Sequence, residues 1–93
     1  MNNPPTLEHF LEKSRFEIRG VETIAHLDYS LARAVMTIHH TFVPPELRGQ
    51  NIAGQLAGAA FEYARAEGLK VVPQCSYIGV YAKRHPEAAA LLA

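Results

Sequence analysis

The stretch Val43-Pro44-Pro45-Glu46-Leu47-Arg48-Gly49-Gln50-Asn51-Ile52-Ala53-Gly54 decides the fold. The residues before it, Arg33 to Val43, are rich in β-branched side chains (Val35, Thr37, Ile38, Thr41 and Val43) and read as a strand. Pro44-Pro45 ends that strand, because neither residue has an N–H for a ladder. Beyond the turn, Gln50 to about Glu67 reads as a long helix, with Ile52, Leu56, Ala59, Ala60, Tyr63 and Ala64 on one face. Gly68 stands where a helix-ending glycine belongs. A helix start leaves about four N–H groups unpaired and carries partial positive charge, which suits a phosphate or pyrophosphate. Gly49 and Gly54 let a ligand come close to the backbone, Arg48 adds a cation, and Ala53 leaves room. Proline, glycine and asparagine also serve any strand-to-helix turn, so these residues alone fit either a phosphate cradle or a plain turn. Neither the nucleotide P-loop pattern nor Gly-x-Gly-x-x-Gly is present.

Upstream, Phe16, Ile18 and Val21 alternate with polar residues from Arg15 onward, and Gly20 breaks the run. Thr23 to Tyr29 alternates again. With Arg33 to Val43 these runs predict a three-stranded antiparallel meander. Met1 to Pro5 reads as a frayed tail, and Thr6 is expected to cap a short helix over Leu7 to Lys13. Downstream, Leu69-Lys70-Val71-Val72 suits a short buried strand that Pro73 interrupts. Cys75-Ser76 leads into a second helix, Tyr77 to about Arg84, which His85-Pro86 ends before an alanine-rich tail. The expected order is strand, strand, strand, helix, strand, helix. The long helix is a crossover, which makes the third and fourth strands parallel. The fold class is α/β in the broad sense (α+β): one domain over residues 1–93, with a mixed sheet.

The chain has 93 residues and a formal net charge of zero. Its balanced, scattered charge excludes the basic face of a nucleic-acid binder. Cys75 is the single cysteine, so no internal disulfide forms, and a reducing cytoplasmic setting is expected. The N-terminus has no signal-peptide pattern, and no apolar run approaches the ~20 residues of a membrane helix.

The words His40-Thr41-x-Val43-Pro44-x-x-Leu47-Arg48-Gly49-x-x-Ile52-Ala53, Pro73-x-Cys75-Ser76-Tyr77 and Arg84-His85-Pro86 together resemble the GNAT acetyltransferase superfamily. The likeness is strongest to small single-domain GNAT-like proteins of YjdJ type, and it runs from about Arg15 to Glu87. It implies a GNAT-like sheet and an acetyl-CoA or coenzyme A site. In that site the backbone of Val43, Arg48, Gly49, Gln50, Asn51, Ile52, Ala53 and Gly54 holds the pyrophosphate. It also implies transfer of an acetyl group to an amine on a small molecule or a protein. Asn51 stands where the family commonly has glycine; asparagine tolerates a left-handed backbone, but its side chain crowds the pyrophosphate. The superfamily usually walls its acceptor site with N-terminal helices that this pattern lacks, so a protein surface amine or a partner subunit is the expected complement.

Transfer from a thioester to an amine needs a neutral amine, a stabilised oxyanion and a proton for the departing thiolate. The resemblance places Cys75 beside the thiol end of the cofactor. There it would accept the acetyl group, act as a base or line the pocket; on its own, a lone cysteine equally suits a buried small hydrophobe. A helix start at Cys75 would favour its thiolate. Tyr77 and Tyr81 lie i, i+4 on one helix face. The resemblance implies that a tyrosine here protonates the thiolate, while packing on the sheet is the plainer reading. His39 and His40 are adjacent on a strand and therefore expected on opposite sides. His40 falls in the family word, so it is the candidate base. Lys83 and Arg84 either reach the adenosine 3′-phosphate or form a solvated helix end. His26 and His85 receive no role, and Glu46 reads as a turn residue. No metal site is expected, since adjacent strand histidines do not share a metal and no third ligand has a telling spacing. The reading is an acetyl-CoA-dependent N-acetyltransferase; the alternatives are a coenzyme A-binding module with little transferase activity and a plain interaction domain.

Overall fold

The computed structural model describes residues 6–93. The expected tail, Met1 to Pro5, lies outside the described residues. Five strands form one sheet in the order β1-β2-β3-β4-β5, with β1 Thr6–Phe10, β2 Arg15–Arg19, β3 Ile24–Ala32, β4 Val35–Phe42 and β5 Lys70–Pro73. The first four pair antiparallel, and β5 joins β4 in parallel after helix α1 (Ile52–Glu67). Helix α2 (Ser76–Arg84) and the short α3 (Pro86–Ala89) follow.

The expected short helix over Leu7 to Lys13 is instead an edge strand, Thr6–Phe10, and one 3-10 turn, Leu11–Lys13. Pairing decides this. Leu7 and His9 sit opposite Ile18 and Phe16, so both extend the apolar face of β2. The His9 ring stacks on Phe16 at 3.9 Å and meets Tyr63 of α1 edge-on at 4.6 Å. The alanine-rich end is also more than a tail. It forms α3 and then returns to the sheet edge, where Leu91 O accepts from Val71 N and Ala93 N donates to Val71 O. The run that Pro73 is expected to interrupt ends there: Pro73 is the last residue of β5, opposite Ile38.

The strand pattern places Ile18, Ala25, Leu27, Met36, Ile38 and Val71 on one sheet face, each with no exposed surface. Helix α1 covers that face with Ile52, Leu56, Ala57, Ala60, Phe61 and Ala64. Each fully buried aliphatic side chain of this kind stabilises the fold by about 1.5–3 kcal/mol before entropy is counted. Gly68, at φ 70°, ends α1: its N–H bonds Arg65 O, and Leu69 N–H bonds Ala64 O at 2.8 Å, the pair of bonds of a Schellman cap. The β3–β4 turn contains only Arg33 and Ala34, at φ 51° and 64°. Two left-handed residues give the turn a twist that matches the strands, although neither residue is one that favours that conformation.

Candidate functional site

Beyond Ile38 the β5 ladder stops, whereas β4 runs on to Phe42, so the two strands part. The start of α1 and the outer side of α2 face one another beside this gap. Asn51, Gly54, Tyr77, Val80, Tyr81, Arg84 and His85 line a groove of about 200 Å³ there.

The α1 side of the groove is a helix start: Gln55 N–H donates to Asn51 O at 3.0 Å, and the amides before it have no intrahelical acceptor. Asn51 takes the left-handed conformation expected for it, φ 56°, and makes no side-chain cap bond. Its carboxamide lies over Gly54, where a Cβ would collide with it. A side chain at position 54 would have to displace the Asn51 carboxamide. The side chain that crowds the helix start has its space supplied from within the same loop. Ile52 is buried in the core, so only its backbone remains for a ligand. Arg48 is exposed, and its Nε donates to Val43 O at 3.1 Å, bracing the loop across its base. Val43, Arg48, Gly49, Gln50 and Ala53 do not line the groove. Glu46 does more than turn the chain. Its carboxylate accepts from Thr23 Oγ1 at 2.7 Å and from Val21 N–H at 3.3 Å, tying the loop to the β2–β3 turn.

On the α2 side, Tyr81 is stacked between Phe61 at 5.7 Å and His85 at 3.9 Å. Its hydroxyl faces Gly58 of α1, where a Cβ would stand only 3.2 Å away. His85 Nδ1–H donates to Tyr81 O at 2.8 Å, which fixes the ring and its tautomer. Burial, the largest cause, raises the Tyr77 phenol above its ordinary pKa; Arg84 opposes this and Cys75 adds to it. Burial likewise raises Tyr81, with smaller contributions from Glu87 and Tyr77. Both phenols thus keep their protons at neutral pH. Lys83 is exposed and off the groove, while Arg84 lines it. Val80 and His85 complete the wall; the i, i+4 spacing from Tyr77 to Tyr81 and His85 is the signal that marks His85 in the sequence.

Cys75 caps α2. Its N–H donates to Ile38 O at 3.0 Å, and its thiol approaches Thr41 Oγ1 at 3.7 Å, at the point where β4 and β5 part. It stands at a helix start, as expected, and is half-buried. The histidines of β4 differ from expectation. The register slips between Asp28 and Tyr29, so that Tyr29 pairs with Ile38 and Asp28 with His40. The extra residue, His39, forms a bulge and breaks the alternation. Both histidines therefore lie on the face away from α1: His39 bonds Ser30 of β3, and His40 is opposite outward-facing Asp28. Both ring nitrogens of His39 are engaged, Nε2 by the Ser30 hydroxyl at 2.7 Å and Nδ1 by Gln74 Oε1. His40 has no side-chain hydrogen bond among the described residues and is exposed. Among the described residues no three metal-binding side chains converge, and no helix is long and apolar enough to cross a membrane.

Helix-start donors, the Arg84 cation and an apolar edge at Val80 line one open groove, a donor set that suits phosphate groups such as those of coenzyme A. The model of a family described as GCN5-related N-acetyl-transferase matches residues 15–91. Protein NATD1 of Mus musculus is 35% identical over 86 residues, covering 89% of this chain and 78% of its own. Protein NATD1 of Homo sapiens is likewise 35% identical over 86 residues, with 76% of its length covered. A GCN5-like protein of Staphylococcus aureus, solved in solution by NMR, shares the fold with a TM-score of 0.78 at 23% identity, over 99% of this chain and 91% of that one.

Proposed function

Because the chain belongs to the GCN5-related N-acetyltransferase family, we propose that it takes acetyl-CoA and transfers the acetyl group to a primary amine, in a cytoplasmic setting. The observation that carries this reading is the convergence of Asn51 and Gly54 with Tyr77, Tyr81, Arg84 and His85 on one groove beside the parting of β4 and β5. The free amides of the α1 start bind the pyrophosphate, and Arg84 meets a phosphate at the far end. Bound acetyl-CoA supplies the activated acetyl group. Tyr77, whose phenol is protonated at neutral pH, gives a proton to the departing sulfur. His40 takes the proton of the amine, since its ring makes no hydrogen bond among the described residues while both nitrogens of His39 are engaged. Cys75 lines the place where the acetyl group rests.

The outer face of the sheet, which no helix among the described residues covers, favours a second reading, a coenzyme A-binding module with little transferase activity. One experiment separates the two. Calorimetric titration with acetyl-CoA and coenzyme A is paired with mass spectrometry of spermidine and of lysine-containing peptides incubated with protein and acetyl-CoA. Binding with acetylation supports the enzyme, binding without it the module, and no binding at millimolar ligand rejects both.

A further inference from the structure

Beside His40, the outer sheet face carries a line of charged and imidazole side chains that acetyl transfer, as described, does not use. Asp28 is its centre. One carboxylate oxygen accepts from Arg15 Nε at 2.5 Å and the other from His26 Nδ1 at 2.8 Å. A carboxylate only accepts, so His26 carries its proton on Nδ1 and presents a bare Nε2. Arg15 also reaches Glu17 at 3.6 Å, and Arg19 reaches Glu17 from the other side at 3.8 Å. Glu17 is opposite His26 in the register and is only 5% exposed. Asp28, itself held by Arg15, therefore holds the imidazole in a fixed tautomer, and Glu17 with Arg19 extends the charge network behind it. That ring is flanked on β4 by His40 at 5.8 Å and Phe42 at 5.7 Å between centroids. The His39 bulge is what turns His40 to this side, because regular alternation would not put both β4 histidines outward.

We propose that His26, oriented by Asp28 and Arg15, is the positioning residue behind His40, and that the two imidazoles together receive the proton released by the acceptor amine. The inference rests on the acetyl-transfer reading above. The amine nitrogen bonds the acetyl carbon as the carbon–sulfur bond breaks; the sulfur takes the Tyr77 proton, and the amine proton goes to His40. The two ring centroids lie 5.8 Å apart, a separation that one bridging water can span, so the positive charge settles next to Asp28 rather than on an exposed ring. Solvent then reprotonates Tyr77 and removes the proton from the imidazoles. A proton-accepting wall on the open face also fixes the approach of the acceptor: it arrives over β3 and β4, opposite α1, where no helix among the described residues stands in its way.

A salt-bridge network that only stiffens the sheet would hold the same four charges, so the test reads the proton itself. Histidine-selective ¹⁵N NMR of the full chain is recorded for wild type, Asp28→Asn, Asp28→Glu and His26→Gln. The expected wild-type signature is Nδ1–H with a bare Nε2 at His26. Asp28→Asn moves it toward Nε2–H, Asp28→Glu restores it, and His26→Gln shifts the His40 ring resonances. With acetyl-CoA and spermidine or a lysine peptide, Asp28→Asn and His26→Gln lower kcat by about 10-fold or more, leave the calorimetric affinity for coenzyme A unchanged, and Asp28→Glu recovers part of the loss. An Nε2–H tautomer at His26 in wild type, or kcat within twofold of wild type in both variants, overturns the proposal. Failure of wild type to bind acetyl-CoA instead rejects the function on which it rests, so the two failures are told apart by the titration.

Discussion

Asn51 and Gly54 make a coupled pair whose energetics follow from their geometry. Gly54 is the third residue of α1, and its missing Cβ leaves room for the Asn51 carboxamide. Replacing glycine by alanine inside a helix gains up to about 1 kcal/mol in propensity. Here the new methyl also drives the carboxamide from its rotamer at about 0.5–1.5 kcal/mol. Gly54→Ala alone is therefore expected to be close to neutral. In an Asn51→Gly background the obstacle is gone, and the same alanine stabilises by up to about 1 kcal/mol. The coupling energy is about 1 kcal/mol, above the ~0.5 kcal/mol at which independent sites add. Urea unfolding of the four proteins, with matching m-values, measures it. Additivity within ~0.3 kcal/mol would show that the carboxamide does not lie over Gly54. The same series reads the ligand: Asn51→Gly clears the helix start and is expected to tighten coenzyme A binding several-fold, while an unchanged affinity would separate the carboxamide from the pyrophosphate site.

Three further outcomes follow from the same contacts. Ala34→Gly relieves one left-handed residue of the two-residue turn, so it stabilises by about 0.5–1 kcal/mol and raises Tm by several degrees; a lower Tm by calorimetry would refute it. Burial lowers the pKa of His9 from 6.5, with Glu12 opposing. The unfolded chain therefore binds that proton first, and the His9 contribution, complete above pH 6.5, falls as pH drops through the lowered value. His9→Gln removes this part of the acid loss, so wild type and variant converge as denaturation is followed from pH 7 to 5; parallel curves would contradict the assignment. Tyr77→Phe keeps the ring and loses the proton, so acetyl transfer falls roughly 10²-fold while coenzyme A affinity in calorimetry is retained; full activity would assign the proton elsewhere.

Four of the five strands, α1, α2 and the crossover are written in local pattern: period-two runs, a long apolar face and Gly68 as a stop. The edge strand β1 is not, because Thr6 and the spacing of Leu7, Phe10 and Leu11 suit a helix equally well. Its state is set by pairing with β2 and by the His9 stack, both long-range. The bulge at His39 has no local mark either; it comes from the slip against β3, and it reverses the face expected for one of the two histidines. The loop before α1 announced the left-handed Asn51 through its place in the family word. It did not announce that Gly54 serves the Asn51 side chain, nor that Arg48 braces Val43 instead of lining the groove. His85 joined the site through its i, i+4 step from Tyr81, and His26 through cross-strand neighbours that only the register supplies.

The groove between α1 and α2 is the centre of the account, and calorimetric titration of acetyl-CoA into wild type and Arg84→Glu tests it most directly. The expected result is wild-type binding in the micromolar range, about −8 kcal/mol, weakened at least tenfold in the variant as a phosphate meets a carboxylate. No binding to wild type at millimolar ligand, or equal binding to both proteins, would contradict it.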